Sequence, residues 1–382
     1  MQFELTEDQR AIRDMVREFA AKEVIPVAGK HDREHSFPHG TTRRMGELGL
    51  LGITVPQEYG GAGADYISFA LVAEELARAD ASHSVIFGAN ASLSVGPIMA
   101  FGDDAQKKAW LPGLATGKKL GCYALTEPEA GSDAGSLRTT ARREGDHYVI
   151  DGAKQFITNG GVADVCIVFA RTDPKSTDAR GVSAFVVDTK SKGFKVGRNE
   201  EKLGLNASYT NQLFFEGLSV PAENRLGAEG DGFKVAMATL DTGRIMCAAG
   251  STGIARAAFE DSLAYSKERK QFGKPIATNQ AIQWKLADMD VNIEAGRNLY
   301  LKAAWLKDRG EPFTHAASRA KVFCSEMAMK ATIDGVQIHG GNGYTKDYAV
   351  ERYMRDIKIF EIFEGTNEVQ RIVIARHLLG QA

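Results

Sequence analysis

"KLGCYALT", residues 119–126, marks the point where the helical periodicity of the chain stops. The runs that follow, "HYVIDGAKQFITNG", "DVCIVFART", "GVSAFVVDT" and "TNQLFFEGLSV", are short, β-branched or aromatic, and punctuated by Gly, Asp and Asn. That composition and spacing predict strands, and hence a β domain over residues 118–226. Upstream, Thr6 and Gln9 have capping-box spacing, and Ile12, Met15, Phe19 and Ala20 recur at helical intervals before Pro26. Further helices are expected over 68–79, 82–101 and 103–116, the last capped by Asp103 or Asp104. After Pro221 only Pro275 and Pro312 interrupt stretches of Leu, Ile, Met and Ala at helical spacing, which predicts long helices broken near those prolines. The chain therefore reads helical, β, helical, an α+β protein with domains 1–117, 118–226 and 227–382.

A chain of 382 residues exceeds one typical core, in keeping with several packed regions. Its 47 Lys and Arg against 49 Asp and Glu are spread along the sequence and form no basic tail or stripe for a nucleic-acid backbone. The opening "MQFELTEDQRAIRDMV" lacks the basic and apolar regions of a secretory signal, and no uninterrupted apolar run of about 18 residues follows. A soluble, cytoplasmic protein without a membrane anchor is expected. Cys122, Cys166, Cys247 and Cys324 are widely spaced and form no CxxC pair, so reduced, buried thiols are expected rather than disulfides or a thiolate metal site.

Several motifs fall away on inspection. No G-x-G-x-x-G lies between a strand and a helix, which disfavours a Rossmann nicotinamide site. "YGGAGAD" at 59–65 reads as a turn. His31, His35 and His39 recur every four residues, but Pro38 and polar neighbours favour a solvated loop over a metal site. "AGSDAG" at 130–135 lacks the spacing of a nucleophile elbow. What remains is "YALTEPEAGSDAGS" (123–136), in which a strand runs into a loop of small residues whose backbone N–H groups suit phosphate oxygens. "KQFITNGG" (154–161) puts Phe156 and Thr158 on one strand face, a fit for a flat, partly polar ring. In "ERYMRDIKIFEIFEGTNEVQRIVIARHLL" (351–379) two helical patterns meet at Gly365, with Asn367 and Gln370 at capping spacing for the second. Glu364 sits at that break after Ile362 and Phe363, where an apolar setting would raise its pKa towards that of a working base. Each of the three taken singly also reads blandly, as a plain turn, an amphipathic strand and a surface glutamate at a helix end.

Together they resemble the acyl-CoA dehydrogenase family from about Leu5 to Leu379. "LTEPEAGSD", "FITNGG", "ERKQFGKPI", "QIHGGNGY", "MRDIKIFEIFEGTNEVQR" and "IARHLL" occur in that family's order and spacing. The resemblance implies an N-terminal helical domain, a middle β-barrel-like domain, a C-terminal four-helix bundle, and a homotetramer. It implies FAD as cofactor, held at the ring and phosphates by Tyr123, Leu125, Thr126, Gly131 and Ser132, with Phe156 and Thr158 flanking the isoalloxazine. Arg269, Gln271, Phe272, Gln280, Gln337, Gly340 and Gly341 match positions that hold the adenine half of a neighbouring subunit's FAD. Thr366 and Glu368 open the last helix, whose N–H groups suit the pyrophosphate. Asp241 and Arg244 in "LDTGR" match positions at the adenine end of CoA, Ser132 also lies near CoA, and Gly365 joins the substrate contacts.

Glu364 matches the family's usual base. Some relatives carry it instead just before the arginine of "LDTGR", which here is Gly243, so one of the two positions holds a carboxylate. The resemblance implies α-proton removal by Glu364 and hydride transfer from Cβ to FAD, with the thioester oxygen held by the Glu364 N–H and a cofactor hydroxyl. The product would be a trans-2-enoyl-CoA, with electrons passing to an electron-transfer flavoprotein. Phe363 stands where many relatives have Tyr. "SVIFGANASLSVGPI" (84–98) resembles short-chain members in length, and Ser84 replaces the Arg of glutaryl-specific relatives. A short- or medium-chain acyl group is therefore expected, with branched or cyclic groups open. The same site run as an enoyl-CoA reductase stays open, as does a non-catalytic flavin-bearing protein of this fold, although retained Glu364 speaks against the latter. An oxidase is disfavoured because oxidases of this fold are generally longer.

Overall fold

The structure is a computed structural model that describes residues 4–176 and 178–381. Seven helices come first: α1 (Glu7–Phe19), α2 (Ile25–Glu34), α3 (His39–Glu47), α4 (Tyr66–Ala79), α5 (Ala81–Gly88), α6 (Val95–Phe101) and α7 (Asp104–Ala115). The Thr6/Gln9 capping box read from sequence forms. The Thr6 side chain accepts from the Gln9 N–H and Gln9 returns a bond to the Thr6 N–H, and Asp103, rather than Asp104, does the same with Gln106. His31, His35 and His39 do not share a solvated loop. His31 lies on α2, His35 ends that helix in the left-handed conformation, and His39 begins α3.

Ala81–Phe101 is continuously helical through a π-helical stretch at Ala89–Ser94 and is long and apolar enough to cross a membrane by length and composition. Most of it is buried inside the protein, and it carries buried His83, Asn90, Ser92 and Ser94, the pattern of a core helix. Asn90 shows why a polar residue sits there. Its amide donates to the carbonyls of Leu51 and Leu114 (both 3.2 Å) and accepts from the Gly121 N–H (2.9 Å), joining the helices to the first strand.

The strands are β1 (Gly121–Ala124), β2 (Thr140–Glu144), β3 (His147–Thr158), β4 (Val165–Arg171), β5 (Val182–Asp188), β6 (Phe194–Asn199), β7 (Thr210–Pro221) and β8 (Arg225–Leu226). They form one mixed sheet in the order β6-β7-β3-β2-β4-β5-β8, with β1 parallel to β4. Strand alternation sends Cys122, Ala124, Cys166 and Val168 to one face, where they meet Tyr148, Phe185 and Phe215 from the other strands. The sheet thus closes on its own apolar face in barrel-like fashion. Tyr123, Leu125, Ile167 and Phe169 point the other way and pack with Val95, Ile98, Leu114 and Val235 from the helices.

The chain ends in α8 (Gly232–Glu268), α9 (Gln280–Asp308), α10 (Thr314–His339), α11 (Val350–Ile357) and α12 (Asn367–Leu378), with a hairpin of β9 (Lys270–Gln271) and β10 (Lys274–Pro275) after α8. A buried ionic knot locks the first domain onto this bundle. Glu74 of α4 takes Arg256 of α8 at 2.5 Å, Arg297 of α9 at 2.6 Å and the Tyr300 hydroxyl, while Glu75 takes Arg256 and Arg17 at 2.6 and 2.8 Å. Burial opposes ionisation of Glu74 most strongly, but the two guanidiniums outweigh it and hold the carboxyl below its ordinary value. Removing Glu74 leaves the mostly buried Arg256 guanidinium and that of Arg297 short of a counter-charge. Glu74→Ala is expected to lower unfolding free energy by about 3–5 kcal/mol, measured as a reduced midpoint at unchanged slope in urea titrations.

Candidate active site

Where the sheet, α5 and α8 meet the turn before α12, a cleft of about 220 Å³ opens. Glu364 is its central acid. The chain arrives along a 3₁₀ turn at Lys358–Glu361 and leaves into α12, and both residues at the bend have left-handed backbones, Glu364 at φ 56° and Gly365 at φ 87°. Glycine tolerates that region, whereas glutamate adopts it only when its surroundings impose it.

Those surroundings are specific. Gln370 donates to the carbonyls of Glu364 (3.2 Å) and Gly365 (3.0 Å), and the buried Lys321 ammonium donates to the Gly365 carbonyl (3.0 Å) and to the Asn367 side chain (2.8 Å). The N-cap of α12 is Thr366, which accepts from the Val369 N–H at 3.3 Å. The Asn367/Gln370 spacing is thus not a capping pair. Gln370 turns back to the bend, while the Asn367 side chain bonds Lys321 and Ser325 of α10.

The Glu364 side chain faces the cleft, with Oε2 buried and lacking a hydrogen-bond partner among the described residues. Desolvation pushes its pKa from an ordinary 4.5 up to about 7, against the pull of Arg244, Lys321 and the Cys247 thiol. Directly beneath lies Gly243 of α8, where a Cβ would overlap Oε2. The carboxylate therefore fills the place of the side chain that Gly243 lacks. The Glu364 backbone N–H donates to no group among the described residues.

Around this centre the structure gathers Tyr123, Leu125, Thr126, Gly131, Ser132, Phe156, Thr158, Arg244, Glu364 and Gly365 in one cleft. A bulge in β3, with Lys154 opposite Leu213 but Ile157 opposite Asn211, throws Phe156 into φ 60° and leaves its ring 60% exposed. The loop at 125–139 is held by a pair absent from the sequence-derived candidates. Buried Lys154 donates to the Leu125 carbonyl (3.1 Å) and to Glu127 (2.7 Å), and Glu127 accepts the N–H groups of Arg138 (2.6 Å) and Thr139 (3.0 Å). The N–H groups of Gly131 and Ser132 donate to nothing among the described residues. A bare aromatic face and free N–H donors on a braced loop suit a flat ring carrying phosphates, as FAD does.

Asp241 lies one helical turn before Arg244, pairs with it at 2.5 Å and accepts from Thr314, also at 2.5 Å. The seven residues assigned to a neighbour's cofactor behave differently. Arg269, Gln271, Phe272, Gln280, Gln337, Gly340 and Gly341 are all exposed and none lines the cleft. Tyr265, near the end of α8, stacks on His339 at 4.2 Å and accepts from Asn342, which sets the end of α8 beside the turn after α10. Thr366 and Glu368 stand at the start of α12 outside the cleft lining.

Three family models match the chain in order: the acyl-CoA dehydrogenase N-terminal domain over residues 6–118, the middle domain over 122–218 and the C-terminal domain over 230–379. The chain belongs to the acyl-CoA dehydrogenase family. It is an FAD-dependent oxidoreductase that dehydrogenates acyl-CoA. Among its relatives, the short-chain-specific acyl-CoA dehydrogenase of Clostridium acetobutylicum is 50% identical over 98% of this chain and 99% of its own. A solved chain described under the electron transferring flavoprotein of Acidaminococcus fermentans matches with TM-score 0.98 at 49% identity, covering 99% of this chain and all of that one. Butyryl-CoA dehydrogenase from Megasphaera elsdenii matches with TM-score 0.97 at 46% identity over the same shares. Length gives no ground against an oxidase. The prolyl acyl carrier protein oxidase AnaB is 32% identical, with TM-score 0.95, and is covered over its full length.

Because the folded Glu364 carboxyl keeps its proton to about pH 7 while an unfolded one loses it near 4.5, the folded state binds more protons in that window. Its contribution to stability accordingly falls as pH rises through the window. The ionised fraction of Glu364 rises over the same range, so if this carboxylate serves as the base, kcat/KM for an acyl-CoA is expected to climb through an apparent pKa of about 7 and level above it. Lys321→Met removes a cation that favours the ionised form, and the pH–rate profile should move to higher pH. A profile left in place would show that Lys321 does not act on the base.

Proposed function

We propose that the chain converts a short-chain acyl-CoA to its trans-2-enoyl-CoA, with Glu364 as the base. The observation that carries this reading is a desolvated, unpartnered carboxylate facing a small, largely apolar cleft. Oε2 of Glu364 takes the α-proton, and the free Glu364 N–H donates to the thioester oxygen as negative charge gathers there. Loss of one such donor costs on the order of 10²–10³ in rate, so the bend must hold the N–H and the carboxylate in register. FAD, when bound, supplies the acceptor for the β-hydride. Tyr123, Leu125, Thr126, Gly131, Ser132, Phe156 and Thr158 hold its ring and phosphates, and Thr366 and Glu368 present the N-terminus of α12 to the pyrophosphate. Asp241 and Arg244 meet the adenine end of CoA, Ser132 also lies near CoA, and Gly365 joins the substrate contacts.

The names of the relatives from Clostridium acetobutylicum and Megasphaera elsdenii support the short-chain assignment. Ser84 is spent on the Ala73 carbonyl at 2.9 Å and offers no cation to a terminal carboxylate. The similarity to the structure described under the electron transferring flavoprotein of Acidaminococcus fermentans supports such a flavoprotein as the electron acceptor. The protein acts as a cytoplasmic homotetramer of three-domain subunits (1–117, 118–226, 227–382), in which Arg269, Gln271, Phe272, Gln280, Gln337, Gly340 and Gly341 reach the adenine half of a neighbour's FAD. Phe272 is 99% exposed, an apolar cost that a second subunit would relieve.

Glu364→Gln keeps size and removes the proton acceptor. FAD content and acyl-CoA binding should persist while anaerobic flavin bleaching by butyryl-CoA slows by roughly 10²–10⁴-fold. Bleaching at the wild-type rate would point to another base. Arg269→Ala is expected to weaken FAD retention and assembly together, read by the flavin-to-protein absorbance ratio across a size-exclusion peak. Loss of neither would count against the shared cofactor site.

A further inference from the structure

We propose that Met246 is the floor of the acyl channel and sets the length of acyl chain that the enzyme accepts. The inference rests on the reading of the cleft as the acyl-CoA site and deepens it.

On α8, Gly243 fixes the position of the Glu364 carboxylate, and therefore the end of the cleft where the α-carbon must lie. Met246 is three residues further on the same helix face, about 4.5 Å along the axis at 1.5 Å per residue. An acyl chain that runs past the base away from the thioester meets its thioether next. Met246 lines the cleft yet is only 1% exposed, so almost all of its side chain is sunk into the wall.

What it sinks into is the gap left by Gly88 of α5. A Cβ on Gly88 would overlap the Met246 methyl group. Val85 and Ala89, on either side of Gly88, line the same cleft. Gly88 thus makes a notch in the α5 wall, and Met246 plugs it. Behind the plug the core is filled. One turn on, a Cβ on Gly250 would stand 3.1 Å from the Phe360 ring and 3.4 Å from the Ser84 hydroxyl, and Phe360 packs edge-on against Phe363 at 4.8 Å. The channel depth is therefore held by one unbranched side chain lying in a notch, and methionine is the apolar residue whose shape is most readily lost without disturbing its neighbours.

Truncation to alanine removes the three outer heavy atoms of the plug and lets a longer chain run into the notch. The test compares wild type and Met246→Ala, both FAD-loaded, in kcat/KM for butyryl-, hexanoyl- and octanoyl-CoA. The hexanoyl-to-butyryl ratio is expected to rise on the order of tenfold, as two more methylenes buried at about 0.8 kcal/mol each imply. Gly88→Ala should act oppositely, driving the thioether into the cleft and raising KM for butyryl-CoA, and Gly88→Ala/Met246→Ala should recover butyryl turnover. An unchanged ratio in a yellow, folded Met246→Ala protein would overturn the proposal. If that variant does not fold, Met246→Val tests the same ratio with a smaller expected rise, and no rise there is equally fatal. Wild-type enzyme reduced by no acyl-CoA would sink the dehydrogenase reading instead. The floor is then read by equilibrium binding of butyryl- and hexanoyl-CoA to wild type and Met246→Ala, an equal affinity ratio in the two proteins overturning it.

Discussion

The site depends on one interlock: a carboxylate from the Glu364 bend occupying the space of a missing side chain on α8. Two distant segments share that space, so any residue other than glycine at 243 would compete with the Glu364 carboxylate for it. The interlock also sets the electrostatics. Pressed against α8 with its Oε2 unpartnered, the carboxylate loses water on the side where a solvated glutamate would keep it, and desolvation dominates its pKa. Arg244 and Lys321 limit the rise, which leaves the group near neutrality rather than permanently protonated.

A bend with two left-handed residues does not hold itself. Lys321 reaches it from α10 and Gln370 from α12, so the geometry of the base is tied to two bundle helices through backbone carbonyls rather than through the carboxylate. That division leaves the acid free to change protonation while its backbone stays fixed, as a base with an adjacent oxyanion donor requires. The other side of the cleft follows the same logic. Glu127 and Lys154 fasten the 125–139 loop through its main chain and leave the N–H groups of Gly131 and Ser132 open.

The helical–β–helical order, the Thr6/Gln9 capping box, the Asp103 cap and the gathering of Glu364 with residues 123–132 and 156–158 were legible in the sequence, because periodicity, cap spacing and motif order are local signals. What escaped was the support. Lys321 and Lys154 act through long-range bonds to backbone carbonyls that no linear spacing announces. A lysine within the apolar pattern of "SRAKVFCSEMAM" was the available hint for Lys321, since a buried ammonium needs partners. The last helix cap was misread for the opposite reason: Asn367 and Gln370 fit a local rule, but tertiary demands claimed both side chains, Asn367 towards α10 and Gln370 at the bend. Residues 31–39 were misjudged because proline was taken to end all helix, whereas Pro38 sits at the entry to α3, where its missing N–H costs little.

The left-handed Glu364 backbone has an evolutionary corollary. A non-glycine residue held in that conformation stores about 1–3 kcal/mol, and a buried acid without a partner adds a further cost that grows with pH. Selection for stability alone would drift this position towards glycine or asparagine, which tolerate the conformation and carry no charge. Under the proposed role of Glu364, a lineage that stopped using the reaction would lose it early while its fold grew sturdier, and the glutamate would act as a molecular record of continued use.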